Sequence, residues 1–148
     1  MALDDIGLAD PRAQSMALEA WQIYERIGGV EGEMAFANLA IYLASAAKSN
    51  AASMAFGQAK ADVAASSTHE VPLHLRNAPT RLMKHLGYAK GYQYDHDVDG
   101  GVALDQTCFP DALGERVYYQ PVERGMEIRL KEKLDRLRAA REQAQRVG

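Results

Sequence analysis

The chain has 148 residues, enough for one domain or two small subdomains with a real core. A net charge of −3 argues against strong nonspecific nucleic-acid binding by the surface as a whole, and leaves room for a local basic face. No apolar run nears the roughly 20 residues of a spanning helix and no signal peptide precedes the first helix; the one cysteine, Cys108, cannot form an internal disulfide, so a reducing cytoplasm with no membrane role is expected.

Met1 to Asp10 reads as a lead-in. Asp10-Pro11 marks a helix start, with Asp capping free amides and Pro in the first turn. Ala13, Met16, Ala17, Ala20, Ile23, Tyr24 and Ile27 then recur at helical spacing until Gly28-Gly29 stops the helix. Trp21 is read as a packing residue. Glu31 to Ala47 reads as a second helix, its interior MAFANLAIYLASAA apolar nearly all round. Such a helix is either the centre of a bundle or covered on one side by another subunit. The candidate interface residues are Met34, Phe36, Ala37, Ala40, Ile41 and Ala44. Lys48-Ser49-Asn50 is a turn, with Ser49 or Asn50 capping a third helix to about Ala65. Three helices with short connections predict an antiparallel bundle over residues 11–66, and Ser66-Ser67-Thr68 marks a boundary before a subdomain at 67–148.

Glu70 to Tyr94 follows no simple period. Val71-Pro72 and Ala78-Pro79 impose extended steps. A short helix is predicted over Thr80 to Leu86, with Asn77 as cap and Gly87 as its left-handed terminus. Gly87 to Arg116 is loop-rich, with a helical turn at Pro110 to Leu113. Tyr92-Gln93-Tyr94 and Val117-Tyr118-Tyr119 alternate well enough to pair as a small ribbon. The last helix is placed at Arg124 to about Arg141, with Glu127 and Lys131 as a charge pair on its surface. The fold class is therefore mainly α: a helical bundle, an irregular Tyr-rich segment and a C-terminal helix.

Arg81, Lys84 and Lys90, with Tyr88 and Tyr92, are candidate DNA contacts, since cations with aromatics suit phosphate contact and base stacking. No acidic residue interrupts Arg76 to Tyr94, whereas acids punctuate the basic C-terminal tail and make it a solvated, salt-bridged face. His74 and Arg76 are read as structural, Arg76 because its fork of donors can satisfy several loop carbonyls. Asp95, His96, Asp97 and Asp99 lack a second cluster at metal-binding spacing, so no metal is expected. Cys108 has no basic partner nearby in sequence and is read as inert. No convergent acid, base and nucleophile set appears, and no G-x-x-x-x-G-K-[ST] loop occurs, so no catalytic residue is assigned.

Four ordered stretches carry a resemblance: DDIGLADP at 4–11, IYLASAAKSN at 41–50, VPLHLRNAPTRLMKHLGYAKGYQY at 71–94 and RVYYQPVERGMEIRLKEKL at 116–134. Together they resemble the C-terminal region of the replication-associated recombination ATPases, the RarA/MgsA family, whose eukaryotic relative is the Werner-helicase-interacting ATPase. The family often has Pro where Ala47 stands, and Asp95 to Thr107 fits no pattern of it. The resemblance implies a C-terminal fragment whose AAA+ module, with its ATP and Mg, is missing, so that no cofactor is expected in this chain. It implies a collar-like role similar to that of clamp loaders, a homotetramer, and a parent that is a DNA-dependent ATPase at stalled or damaged replication forks, where fork proteins are candidate partners. Residues 1–10 then become the lead-in from that module. An oligomerisation module, favoured by the second helix, and a DNA-contacting module, favoured by Arg76 to Lys90, both stand as readings.

Overall fold

The computed structural model describes residues 1–66, 68–98 and 100–147. Ser67, within the expected boundary, and Asp99, within the expected acidic cluster, lie outside the described residues. The class is mainly α: α1 (Arg12–Ile27), α2 (Gly29–Ser45), α3 (Ala51–Ala65), α4 (Arg81–His85) and α5 (Glu127–Val147), joined by turns. The chain divides into two compact units, Met1–Ala61 with Tyr118–Leu134, and Asp62–Val117 with Asp135–Gly148.

The first unit is built on a helical hairpin. The Asp10 carboxylate accepts from the Arg12 amide at 3.2 Å and so caps α1, while Pro11 supplies a helical φ of −61°. Gly28, at φ +65°, ends α1 by donating its amide to Tyr24 and opens α2 by accepting from the Gly32 amide, both at 2.9 Å. Reversal within so few residues requires the left-handed conformation that glycine adopts without strain. The two helices pack antiparallel at close range. A Cβ on Gly32 would stand 3.1 Å from the Cα and Cδ2 of Tyr24. One turn on, the Phe36 ring lies 5.2 Å from Tyr24 and 6.5 Å, edge-on, from Trp21. At the open end the Tyr42 hydroxyl donates to Asp10, which also pairs with the Arg12 guanidinium. These two hydrogen bonds, Arg12 first, hold the Asp10 pKa down at about 2.

The first ten residues are folded: a π-type turn at Ala2–Ile6 buries Ile6 fully, and a 3-10 turn follows at Gly7–Ala9. Backbone bonds fix this segment on both sides. The Asp5 carbonyl accepts from the Ser49 amide at 2.7 Å, and the Ala9 carbonyl accepts from the Met126 amide at 2.8 Å. Glu127 sits beside this clasp and is wholly buried. Its carboxyl oxygens accept from the Ser49 hydroxyl at 2.8 Å, the Tyr119 hydroxyl at 2.9 Å and the Val122 amide at 2.9 Å. Ser49 in turn accepts from the Ala51 amide at 3.2 Å, so one hydroxyl caps α3 and binds the buried acid. Burial, then the bond to Glu127, raises the Tyr119 phenol above its ordinary pKa.

Several expectations are corrected. Glu127 is the buried centre of a network rather than half of a surface pair with Lys131, whose ammonium lies 3.9 Å from Glu123. The last helix begins at Glu127, not Arg124, because residues 122–126 are occupied by the turn that presents Glu127. α3 does not pack lengthwise on α1 or α2, so the antiparallel packing predicted for three helices is made by two. The cap of α4 is Thr80, accepting from the Met83 amide at 3.3 Å, rather than Asn77; Gly87 follows at φ +85° as expected. Among the described residues no strand forms, and the Tyr ribbon is absent. The backbone of Gln93 instead bonds the side-chain amide of Gln106, at 2.9 Å for the amide and 3.4 Å for the carbonyl.

Gly125 tests the clasp directly. It adopts φ +55°, and a Cβ there would lie 2.1 Å from the Ala9 carbonyl oxygen. Gly125→Ala should destabilise the protein by about 3 kcal/mol or more, read as a drop in the denaturant midpoint, because both the left-handed backbone and the backbone contact must give. Gly57→Ala, in α3 with open space around it, should be neutral or stabilising.

Candidate functional site

Two surfaces gather the residues with functional potential. On α2, Gly32, Phe36, Leu39 and Leu43 lie toward α1 or are partly covered. The opposite side carries Val30, Met34, Ala37, Ile41 and Ala44 at steps of four, three, four and three. These form one helical row, and all five are exposed, Val30 at 76%, Met34 at 55% and Ile41 at 70%. Ala40 is exposed beside them. Of the residues predicted to face another subunit, Met34, Ala37, Ala40, Ile41 and Ala44 thus share the free side, whereas Phe36 belongs to the aromatic contact with Trp21 and Tyr24. Val30 joins the row although it precedes the expected start of the helix. It does so because α2 starts at Gly29.

The second surface lies in the second unit. Its loop is held by Arg76, whose side chain is 22% exposed. The guanidinium donates to the Val71 carbonyl at 2.5 Å, the Glu70 carboxylate at 2.6 Å and the Tyr88 hydroxyl at 3.4 Å, and stands 5.3 Å from the centre of the Tyr88 ring. Hydrogen bonds to Glu70 and then Tyr88 raise the pKa of Arg76, and the same contact lowers that of Glu70. His74 Nε2 is 2.9 Å from the Thr107 carbonyl oxygen, which ties the loop to the segment before Cys108. The Leu73 carbonyl accepts from the Ala89 amide at 3.0 Å.

This scaffold presents α4. Arg81, Lys84 and Lys90 are exposed, and none of the three pairs with a carboxylate among the described residues. Arg81 and Lys84 are one helical turn apart and share a side. Tyr92 is half exposed beyond them, while Tyr88 is turned into the Arg76 contact. The basic C-terminal helix is interleaved with acids as expected: Arg138 lies 3.8 Å from Asp135, and Arg141 3.2 Å from Glu115. Among the described residues no group of three or more His, Cys, Asp or Glu could hold a metal, and no helix is long and apolar enough to cross a membrane.

Residues 1–138 match the family described as MgsA AAA+ ATPase C terminal. Replication-associated recombination protein A of Coxiella burnetii is 52% identical over 143 residues, 97% of this chain and 32% of that protein. The protein of the same name from Escherichia coli is 46% identical over 134 residues, 90% of this chain and 30% of that one. ATPase WRNIP1 of Dictyostelium discoideum is 37% identical over 120 residues, 81% of this chain and 14% of that one. The chain therefore spans about a third of the length of the bacterial relatives it matches.

The Arg76 contacts separate a scaffold from a ligand-binding role. Arg76→Ala should cost about 1–3 kcal/mol, seen as a lower melting temperature, since a carbonyl and a carboxylate lose their donor. An unchanged melting temperature with loss of DNA binding would reverse that assignment.

Proposed function

Since the chain belongs to the MgsA AAA+ ATPase C-terminal family, we propose that it is the assembly module of an AAA+ ATPase of replication-associated recombination. In this reading it joins subunits as a collar-like tetramer in the cytoplasm. ATP and Mg are handled by the ATPase module of the parent protein, which acts on DNA at replication forks with other fork proteins.

The observation that carries the reading is the outer row of α2. Val30, Met34 and Ile41 are each more than half exposed, on a helix whose other side is already used by α1. A contiguous apolar row of this kind is an unusual surface for an isolated monomer and an ordinary one for an interface. Ala37, Ala40 and Ala44 beside it allow a second helix to approach closely. Because the row contributes little to the packing of its own hairpin, its role is separable from folding. Ile41→Asp should leave the chain folded, with its helical circular dichroism unchanged from wild type. It should convert the oligomer to a smaller species in sedimentation velocity at tens of micromolar protein. A wild-type chain that sediments as a monomer there overturns the proposal.

A second reading, DNA contact through α4, is favoured by Arg81, Lys84 and Lys90, whose cations pair with no carboxylate among the described residues. Such a patch keeps its positive potential, where a mixed one is neutralised and screened within about 10 Å at moderate salt. Binding would be weak, salt-sensitive and indifferent to base sequence. The Lys84→Glu/Lys90→Glu variant should lose most affinity for labelled single-stranded and forked DNA at low salt. Equal affinity for variant and wild type would assign DNA contact to the ATPase module.

A further inference from the structure

We propose that the self-association is isologous and antiparallel, with α2 of one copy crossing α2 of a second copy at Ala37. The inference rests on the reading of the outer α2 row as the surface that copies share. It adds the direction, register and symmetry of the contact.

The row is symmetric about its centre to within one residue. Val30, Met34, Ala37, Ile41 and Ala44 lie seven and three residues before Ala37 and four and seven after it. A two-fold axis at Ala37 sets Val30 against Ala44 of the second copy, Met34 against Ile41, and Ala37 against itself. The crossing point is then an alanine, where helix axes can approach to about 8 Å. At each end Val30 meets the smaller Ala44, and between the ends and the centre Met34 packs on Ile41. An isologous contact asks for this self-complementarity, because each pairing occurs twice.

Charge selects the direction. Glu31 and Glu33 are exposed at the start of α2 and enter no ion pair among the described residues. At the other end the Lys48 ammonium donates to the Leu43 and Ala46 carbonyls at 2.5 and 2.8 Å, and Arg124 donates to the Lys48 carbonyl at 3.3 Å. Near that end Asp10 is already engaged, bound by Arg12 and Tyr42. An antiparallel crossing lays the carboxylates of each copy toward the cations of the other and opposes the helix dipoles. A parallel crossing gathers four carboxylates at one end and the cations at the other. The same carboxylates disfavour an anionic lipid surface or nucleic acid as the occupant.

Cysteine cross-linking of the full 148-residue chain tests the geometry. Cys108 is exposed and is first replaced, Cys108→Ser. In that background Ala37→Cys should give a disulfide-linked dimer under mild oxidation, since a bridge needs Cα atoms within about 7 Å. Met34→Cys and Ile41→Cys should not cross-link alone but should do so when mixed. Each of the three positions has its side chain on the outer row, and an unchanged melting temperature for each variant establishes that it is folded. Met34→Cys linking to itself as readily as Ala37→Cys means a parallel contact and overturns the proposal. So does an oligomer by sedimentation in which no pair cross-links, which keeps self-association and moves it to another face. A monomer by sedimentation overturns both readings.

Discussion

A buried carboxyl group organises the first unit. Placing Glu127 out of water carries a desolvation cost of several kcal/mol unless donors surround it. Ser49, distant in sequence, and Tyr119 with the Val122 amide, from the segment just before α5, supply them. Each donor is tied to something else. Ser49 caps α3, and its amide bonds the N-terminal turn. Val122 belongs to the turn that brings Gly125 against Ala9, and the Met126 amide next to Glu127 closes on the Ala9 carbonyl. The start of the chain, the start of α3 and the start of α5 are therefore positioned by one side chain, because its oxygens can be satisfied in one arrangement only when all three are in place.

The hairpin solves a different problem. With Gly32 facing Tyr24, α1 and α2 approach closely and need only Phe36, Tyr24 and Trp21 to fill the gap. Few large side chains are consumed, so the outer row of α2 stays free. In the second unit the arrangement is reversed. There the polar groups of Arg76, His74 and Gln106 replace a core, bonding loop backbone that has no helix or sheet to satisfy it. A loop built in this way can hold cations outward on α4 without burying them.

Local chemistry was legible in the sequence, and long-range pairing was not. Asp10-Pro11, Gly28, Ser49 and Gly87 each signal a terminus through bonds made within a few residues, and each stands where its signal put it. The apolar girth of α2 was equally plain, but which side would be covered depended on Gly32 meeting Tyr24, a contact that no periodicity encodes. Glu127 misled because its neighbours Arg124 and Lys131 make an ordinary surface charge pattern, while its partner Ser49 lies 78 residues away. The Tyr ribbon misled because alternation names a strand without naming its partner. Here the Gln106 side chain took the place of one at Gln93.

The separation between Ser49 and Glu127 also sets an order of events during synthesis. The α1–α2 hairpin is local and can close as soon as its residues emerge from the ribosome. Ser49 and the N-terminal turn must wait for 78 further residues, at an entropic cost for loop closure of about 4 kcal/mol. Until then the nascent first unit exposes both the bare row of α2 and the surface that Glu127 and Met126 later cover. Neighbouring ribosomes on one message would present these same surfaces to each other, at high local concentration, before the clasp has formed.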